Sequence, residues 1–202
     1  MIASPVVVAG GALATYVFGA IPFALIIGKL FYGVDIREHG SGNVGATNVV
    51  RVLGRKPGIA CFVLDFLKGC LPVSLAVAAH LPWWVPLLYG VLAIVGHSRS
   101  VFLGFKGGKS VATGAGVIVA LAPWVGLAVL GVWAAVFFAG RIVSLASIVA
   151  AGSLPLWMLL FKQPLSTVLF GVVTALYVIV RHRSNIERLL KGQEPRMGAR
   201  KS

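Results

Sequence analysis

The sequence predicts an all-α polytopic membrane protein with seven transmembrane helices, its N-terminus outside and its C-terminus cytoplasmic. Three observations carry this. Hydrophobic residues are 58% and charged residues 11% of a 202-residue chain with mean hydropathy +0.95, which excludes an ordinary soluble domain. The apolar residues gather in runs long enough to cross a hydrocarbon core. The basic residues, 18 Lys and Arg against 5 acids for a formal charge of +13, fall between those runs in the manner of the positive-inside bias. No basic stretch is interleaved with base-stacking aromatics, so no nucleic-acid partner is expected. Cys61 and Cys70 would lie on different faces of one helix, about 13 Å apart in rise, and imply no disulfide. The N-terminal apolar run lacks a basic n-region, so no cleaved signal peptide is expected.

Residues 5–31 read as the first span, with Pro22 inside it and Lys29 opening a basic segment that runs to Lys56 and marks the cytoplasmic side. Residues 32–56 hold a Gly-rich segment. The second span covers residues 57–80 and the third 83–102, separated by Leu81-Pro82-Trp83-Trp84, the composition of an aromatic belt at a water interface. Residues 110–140 are an uncharged run of 31 residues interrupted by Pro123. As one helix it would be about 46 Å long against a hydrocarbon core of roughly 30 Å. Two short spans meeting at Ala122-Pro123-Trp124 return Arg141 to the cytoplasm instead, and their shortness calls for tilting, local thinning or a partly re-entrant path. Residues 144–161 then cross outward, Lys162-Gln163-Pro164 turns outside, and 165–180 return to a basic tail. On this path Lys162 is the one external cation, whereas six spans would reverse the last third of the chain. No repeat or long linker divides the sequence, which reads as one domain, 1–202, with disorder the default for the basic tail 191–202.

Four polar segments gather on the cytoplasmic side. The first runs from Gly40 to Arg51 and contains Ser41, Gly42, Asn43, Gly45, Ala46, Thr47 and Asn48. Its small residues suit close helix packing, but two asparagines and an arginine among them favour a cradle in which loop amides and side chains meet an anion. Thr47 and Arg51 would share a face of a helix starting near Gly45. No Gly-Lys-Ser/Thr ends the segment and no strand precedes it, so it is neither a P-loop nor a dinucleotide fingerprint. The second segment, Lys106-Gly107-Gly108-Lys109-Ser110, puts two ammonium groups on a turn before a helix, as an anion site or as a topogenic loop. His97 precedes it, as a hydrogen-bonded structural residue or a base. In the third, Arg141, Ser144 and Ser147, the serines share a helix face and either bond back to the backbone or meet substrate. In the fourth, His182 and Asn185 are three apart and can both face inward, while Arg183, Arg188 and Lys191 suit lipid phosphates. Asp65 and Lys68, three apart within the second span, read as an ion pair bracing the floor of the site. No Cys/His or carboxylate cluster has metal-ligand spacing, so neither a metal nor a cofactor is expected.

In this order, Ser41-Gly42-Asn43-Val44-Gly45-Ala46-Thr47-Asn48 with Arg51, Gly96-His97 with Phe105-Lys106-Gly107-Gly108-Lys109-Ser110, Val143-Ser144-Leu145-Ala146-Ser147, and Arg181-His182-Arg183-Ser184-Asn185-Ile186 resemble the bacterial acyl-phosphate:glycerol-3-phosphate acyltransferase family. The resemblance spans almost the whole chain. It implies a seven-helix inner-membrane enzyme, active site open to the cytoplasm, that moves a fatty acyl group from acyl phosphate to the 1-hydroxyl of glycerol 3-phosphate, giving lysophosphatidic acid and inorganic phosphate. It further implies catalytic roles for Ser41, Arg51, Lys109, Ser147, His182 and Asn185. Substrate or phosphate contacts are implied for Gly42, Asn43, Gly45, Ala46, Thr47, Asn48, Lys106, Gly107, Gly108, Ser144 and His97. A mechanism without a protein base, in which a substrate phosphate accepts the hydroxyl proton, also belongs to the resemblance.

Two further readings bear on this expectation. Acyl-CoA-dependent and acyl-carrier-protein-dependent enzymes use a His-x4-Asp base, whereas His39, His97 and His182 are followed five positions on by Val44, Phe102 and Glu187. Use of acyl-CoA is therefore not expected. The second reading is a membrane transporter of phosphate esters or organic anions, which the break at Pro123 favours and the absence of internal repeats disfavours.

Overall fold

The computed structural model describes residues 4–198; residues 1–3 and the end of the basic tail, 199–202, lie outside the described residues. The described residues form helices joined by turns, without strands, and the chain divides into two compact units, Met1–Leu121 and Ala122–Ser202.

The first unit contains α1 (Pro5–Ala20), α2 (Phe23–Tyr32), α3 (Ala46–Leu53), α4 (Arg55–Ala78), α5 (Trp84–Ser98) and α6 (Val111–Leu121), with short 3-10 turns at Ile36–Glu38 and Val101–Leu103. Pro22 ends α1 because it has no N–H to donate and forces Ile21 out of the helical region, to φ −57° and ψ 121°. The chain resumes as α2 at 47° to α1. Such a break leaves carbonyls without helical partners, a serious cost in a bilayer. Here Ser100 Oγ donates to the Ala20 carbonyl at 2.6 Å and Lys68 Nζ to that of Ile21 at 2.9 Å.

α1 packs on α5, while α4 packs on both α3 and α6. Between α4 and α6 the two backbones meet almost directly: a Cβ at Gly69 would collide with the Thr113 carbonyl, and one at Gly116 with that of Phe66. Thr113 Oγ1 adds a bond across this seam to the Asp65 carbonyl at 2.9 Å. A separate apolar cluster of Ala24, Ile27, Ile36, Val44, Val49 and Cys61 clamps the 33–45 loop onto α2, α3 and α4.

The second unit contains α7 (Pro123–Gly140), α8 (Val143–Leu160), α9 (Leu165–Arg181) and α10 (Arg183–Leu190). α8 packs against both α7 and α9, burying Ala146, Ser147 and Ala150 while Leu156, Leu159 and Leu160 stay exposed. α9 turns by 60° into α10. The small residues near the start of α8 let its neighbours approach closely, while Leu154 and Met158 fill the seam further along the helix.

Among the described residues four helices are long and apolar enough to cross a membrane, or six when each bent pair, α1 with α2 and α9 with α10, counts as one span. The seven-span path would need α6 as a crossing. Its 11 residues make about 16 Å of helix. The break expected at Pro123 lies where α6 gives way to α7, with Pro123 in the first helical position, where its missing N–H costs nothing.

Candidate functional site

In the first unit the 33–45 loop is built around two acceptors. Asp35 caps the 3-10 turn by accepting from the Arg37 N–H at 3.0 Å, and its carboxylate also meets Arg37 Nη2 at 2.6 Å and Lys29 Nζ at 3.0 Å. The Arg37 guanidinium beside it, helped by that backbone N–H and by Lys29, holds the Asp35 carboxyl well below the usual carboxylate range despite the opposing effect of burial. Gly40 and Gly42 have φ of +62° and +69°, a left-handed conformation that lets the loop double back before α3. Gly45 caps α3 in extended conformation, so Thr47 and Arg51 do share one face, Arg51 exposed and Thr47 half-buried.

Asn48 has a different task from the one the motif suggests. It is buried, its Nδ2 donates to the Ile36 and His39 carbonyls at 3.0 Å each, and its Oδ1 accepts the Ser41 N–H at 2.8 Å. Its amide is thus committed to shaping the loop, and it sets where Ser41 stands. Asn48→Ala is expected to destabilise the protein by about 1–3 kcal/mol. It should also speed hydrogen exchange at the Ser41 amide while the α4 amides keep their protection.

The Lys106–Lys109 segment hangs from the end of α5. The Gly107 N–H donates to the Ser98 carbonyl and the Gly108 N–H to that of His97, both at 3.1 Å. Ser110, buried after the turn, donates to the Ile94 carbonyl at 2.8 Å. Lys106 is exposed and Lys109 half-buried, so the two ammonium groups differ in solvent access. His97 is buried, its ring lying between the Gly108 turn and the interior of α4. Its Nδ1 lies 3.0 Å from Lys68 Nζ and 3.6 Å from Asp65 Oδ1, and Lys68 and Asp65 pair at 2.9 Å. The three-residue spacing inside α4 accounts for that pair, and His97 joins it from α5.

In the second unit Ser144, Asn185 and Arg188 gather on one residue of the tail. Ser144 Oγ donates to Glu194 Oε1 at 2.8 Å, Asn185 Nδ2 to the same oxygen at 2.6 Å, and Arg188 Nε to Oε2 at 2.6 Å. The Met197 N–H, beyond it, donates to the Arg141 carbonyl at 2.7 Å. Burial raises the Glu194 carboxyl, but the donors, Asn185 foremost and then Ser144 and Arg188, outweigh it and leave the group below its ordinary value. Ser147 bonds back to the Val143 carbonyl at 2.8 Å and accepts from Trp133 Nε1 at 3.2 Å. His182 Nδ1 lies 2.7 Å from the Val178 carbonyl, which can only accept, so this nitrogen carries a proton. Glu194 is the residue the motifs do not reveal. Its one signal in the sequence is an isolated acid among the cations of the tail.

Among the described residues no group of His, Cys, Asp or Glu could hold a metal ion. What each unit offers is a set of cationic and hydrogen-bonding groups on short, well-braced segments beside apolar helices, a chemistry suited to phosphate on a lipid substrate.

The comparisons with known proteins agree with one another. Residues 9–192 match the family model described as glycerol-3-phosphate acyltransferase. A glycerol-3-phosphate acyltransferase of Acaryochloris marina is 45% identical, over 94% of this chain and 92% of the relative. One from Synechococcus sp. (strain CC9902) is 49% identical, over 91% and 92%. The fold is similar to the crystal structure of PlsY, an integral membrane glycerol 3-phosphate acyltransferase, in its glycerol 3-phosphate form, with a TM-score of 0.91 at 45% identity over 95% of this chain and 96% of that one. Its lysophosphatidic acid form superposes with a TM-score of 0.88.

Proposed function

The chain belongs to the glycerol-3-phosphate acyltransferase family, and from that premise we propose that it takes its acyl group from acyl phosphate. The reaction delivers a fatty acyl group to the 1-hydroxyl of glycerol 3-phosphate and releases lysophosphatidic acid and inorganic phosphate. The observation that carries this reading is the pair of cationic, Gly-bearing loops, each ordered by bonds to neighbouring carbonyls or to Asn48. Two phosphorylated substrates call for two such places, and a lipid product calls for the bilayer.

The donor is already an activated mixed anhydride. The hydroxyl oxygen attacks the acyl carbon, the new ester C–O bond forms, and the bond from that carbon to the phosphate oxygen breaks. The electron pair leaves with the phosphate, and the hydroxyl proton passes to a substrate phosphate oxygen. No covalent enzyme intermediate is needed. The protein's contribution is alignment and stabilisation of negative charge on the oxyanion and the departing phosphate. On this reading Ser41, Arg51, Thr47 and the backbone of residues 42–48 receive the acyl-phosphate phosphate and the leaving group. Lys109, Lys106, Ser147, His182 and Asn185 serve glycerol 3-phosphate and the transition state. The path through the bacterial inner membrane has seven spans, the N-terminus outside, and the active site facing the cytoplasm.

The test is phosphate release by the purified protein from palmitoyl phosphate, with and without glycerol 3-phosphate and without acyl-CoA. Release that depends on glycerol 3-phosphate, with an equal amount of lysophosphatidic acid by mass spectrometry, is expected. Product formed only when acyl-CoA is supplied would overturn the donor assignment. Uptake of glycerol 3-phosphate into proteoliposomes without product would favour the transporter reading instead.

A further inference from the structure

The proposed chemistry leaves the most deeply buried charges unused. Lys68 and Asp65 have side chains only 2% and 3% exposed. Charged groups at that depth are retained only when paired and fully hydrogen-bonded. The lysine meets that condition closely. Its ammonium carries three protons and faces three acceptors: Asp65 Oδ1 at 2.9 Å, the Ile21 carbonyl at 2.9 Å and His97 Nδ1 at 3.0 Å. The Phe23 ring lies 5.5 Å beneath it.

This arrangement dictates the state of the histidine. A charged ammonium can only donate, so His97 Nδ1 must accept, and the ring is neutral with its proton on Nε2. The contact between Asp65 Oδ1 and the same nitrogen, at 3.6 Å, is then a neighbouring approach rather than an ion pair. Nε2 faces the Lys106–Lys109 segment: a Cβ on Gly108 would collide with it, and the His97 carbonyl already accepts the Gly108 N–H.

We propose that Lys68 is a positioning residue for the phosphate loop. It fixes His97 as the Nε2–H tautomer, in the orientation against which Gly107 and Gly108 lie, and ties that loop to the α1–α2 break through the Ile21 carbonyl. The proposal rests on the reading that the Lys106–Lys109 loop receives the phosphate of glycerol 3-phosphate. Three segments distant in sequence are thereby referred to one ammonium group.

The direct test is a long-range ¹H–¹⁵N correlation spectrum of ¹⁵N-histidine-labelled protein in detergent, with the His97→Asn variant identifying the His97 signals. A proton on Nε2 and a bare Nδ1 are expected. A ring protonated on both nitrogens, or on Nδ1 alone, overturns the proposal. The kinetic test uses Lys68→Met combined with Asp65→Asn, which removes both charges and so avoids stranding a buried carboxylate. KM for glycerol 3-phosphate should rise about tenfold, the worth of one lost hydrogen bond to a charged group, while KM for acyl phosphate stays within about twofold of its original value. A folded double variant with both KM values unchanged also overturns it. If Lys109→Ala leaves KM for glycerol 3-phosphate unmoved, the loop assignment fails by itself, and the tautomer still decides the placement of His97.

Discussion

Lys109→Ala is expected to lower kcat/KM by about 10²–10³, the effect of deleting one charge-stabilising donor from a preorganised site. The backbone around Lys109 is held by the Gly107 and Gly108 bonds to the end of α5 and by Ser110 to the Ile94 carbonyl, bonds that do not involve the ammonium group. Lys109 is half-buried beside apolar helices, where a charge interaction is screened less than at an exposed position such as Lys106. Lys106→Ala should accordingly cost less, about tenfold or under. Initial rates over a grid of both substrates, with a melting curve for each variant, provide the check. Full turnover by Lys109→Ala at saturating glycerol 3-phosphate and acyl phosphate would refute the role given to this loop.

Glu194→Ala should be a damaging change in the second unit, with a stability loss of about 1–3 kcal/mol from the donors it strands. The carboxylate is 6% exposed and accepts from Ser144, Asn185 and Arg188 together, so its removal leaves three donors without their acceptor. Its effect on pH dependence has a definite sign. The folded carboxyl lies below its ordinary value of 4.5, so the stabilisation is fully present above that value and is lost as pH falls through the folded one. Asp35 is depressed as well and contributes an acid-labile term of the same sign. The informative quantity is therefore the difference between the parent protein and Glu194→Gln. The gap in Tm should be widest at neutral pH and narrow below about pH 4.5. A gap that is constant across that range would mean that the carboxylate charge contributes nothing.

The helical membrane class could be read from composition, and the break at Pro123 from the chemistry of proline, because both are local properties of the chain; residues 5–31 read as one span, and the structure breaks them at Pro22. The Asp65–Lys68 pair could be read for the same reason, since three residues along a helix bring two side chains together. His97 joins that pair across 29 positions of sequence, and Glu194 reaches Ser144 across 50. No spacing rule announces contacts of that length. Asn48 shows a subtler failure. Its motif marks it as polar and its surroundings as functional, yet only the positions of the Ile36, His39 and Ser41 backbone groups reveal that its amide faces inward.

The kink at Pro22 carries a consequence for how the protein is made. Its two carbonyl caps come from residues translated later: Lys68 follows Ile21 by 47 positions, and Ser100 follows Ala20 by 80. At ribosomal rates of about 5–20 residues per second, the first span waits on the order of several seconds for each. During that interval the Ile21 carbonyl has the Phe23 N–H at 3.1 Å, whereas the Ala20 carbonyl lacks its Ser100 donor, and hydrocarbon supplies none. The Ala20 end of the kink is therefore completed only after α4 and α5 have been made, by a residue 80 positions further along the chain.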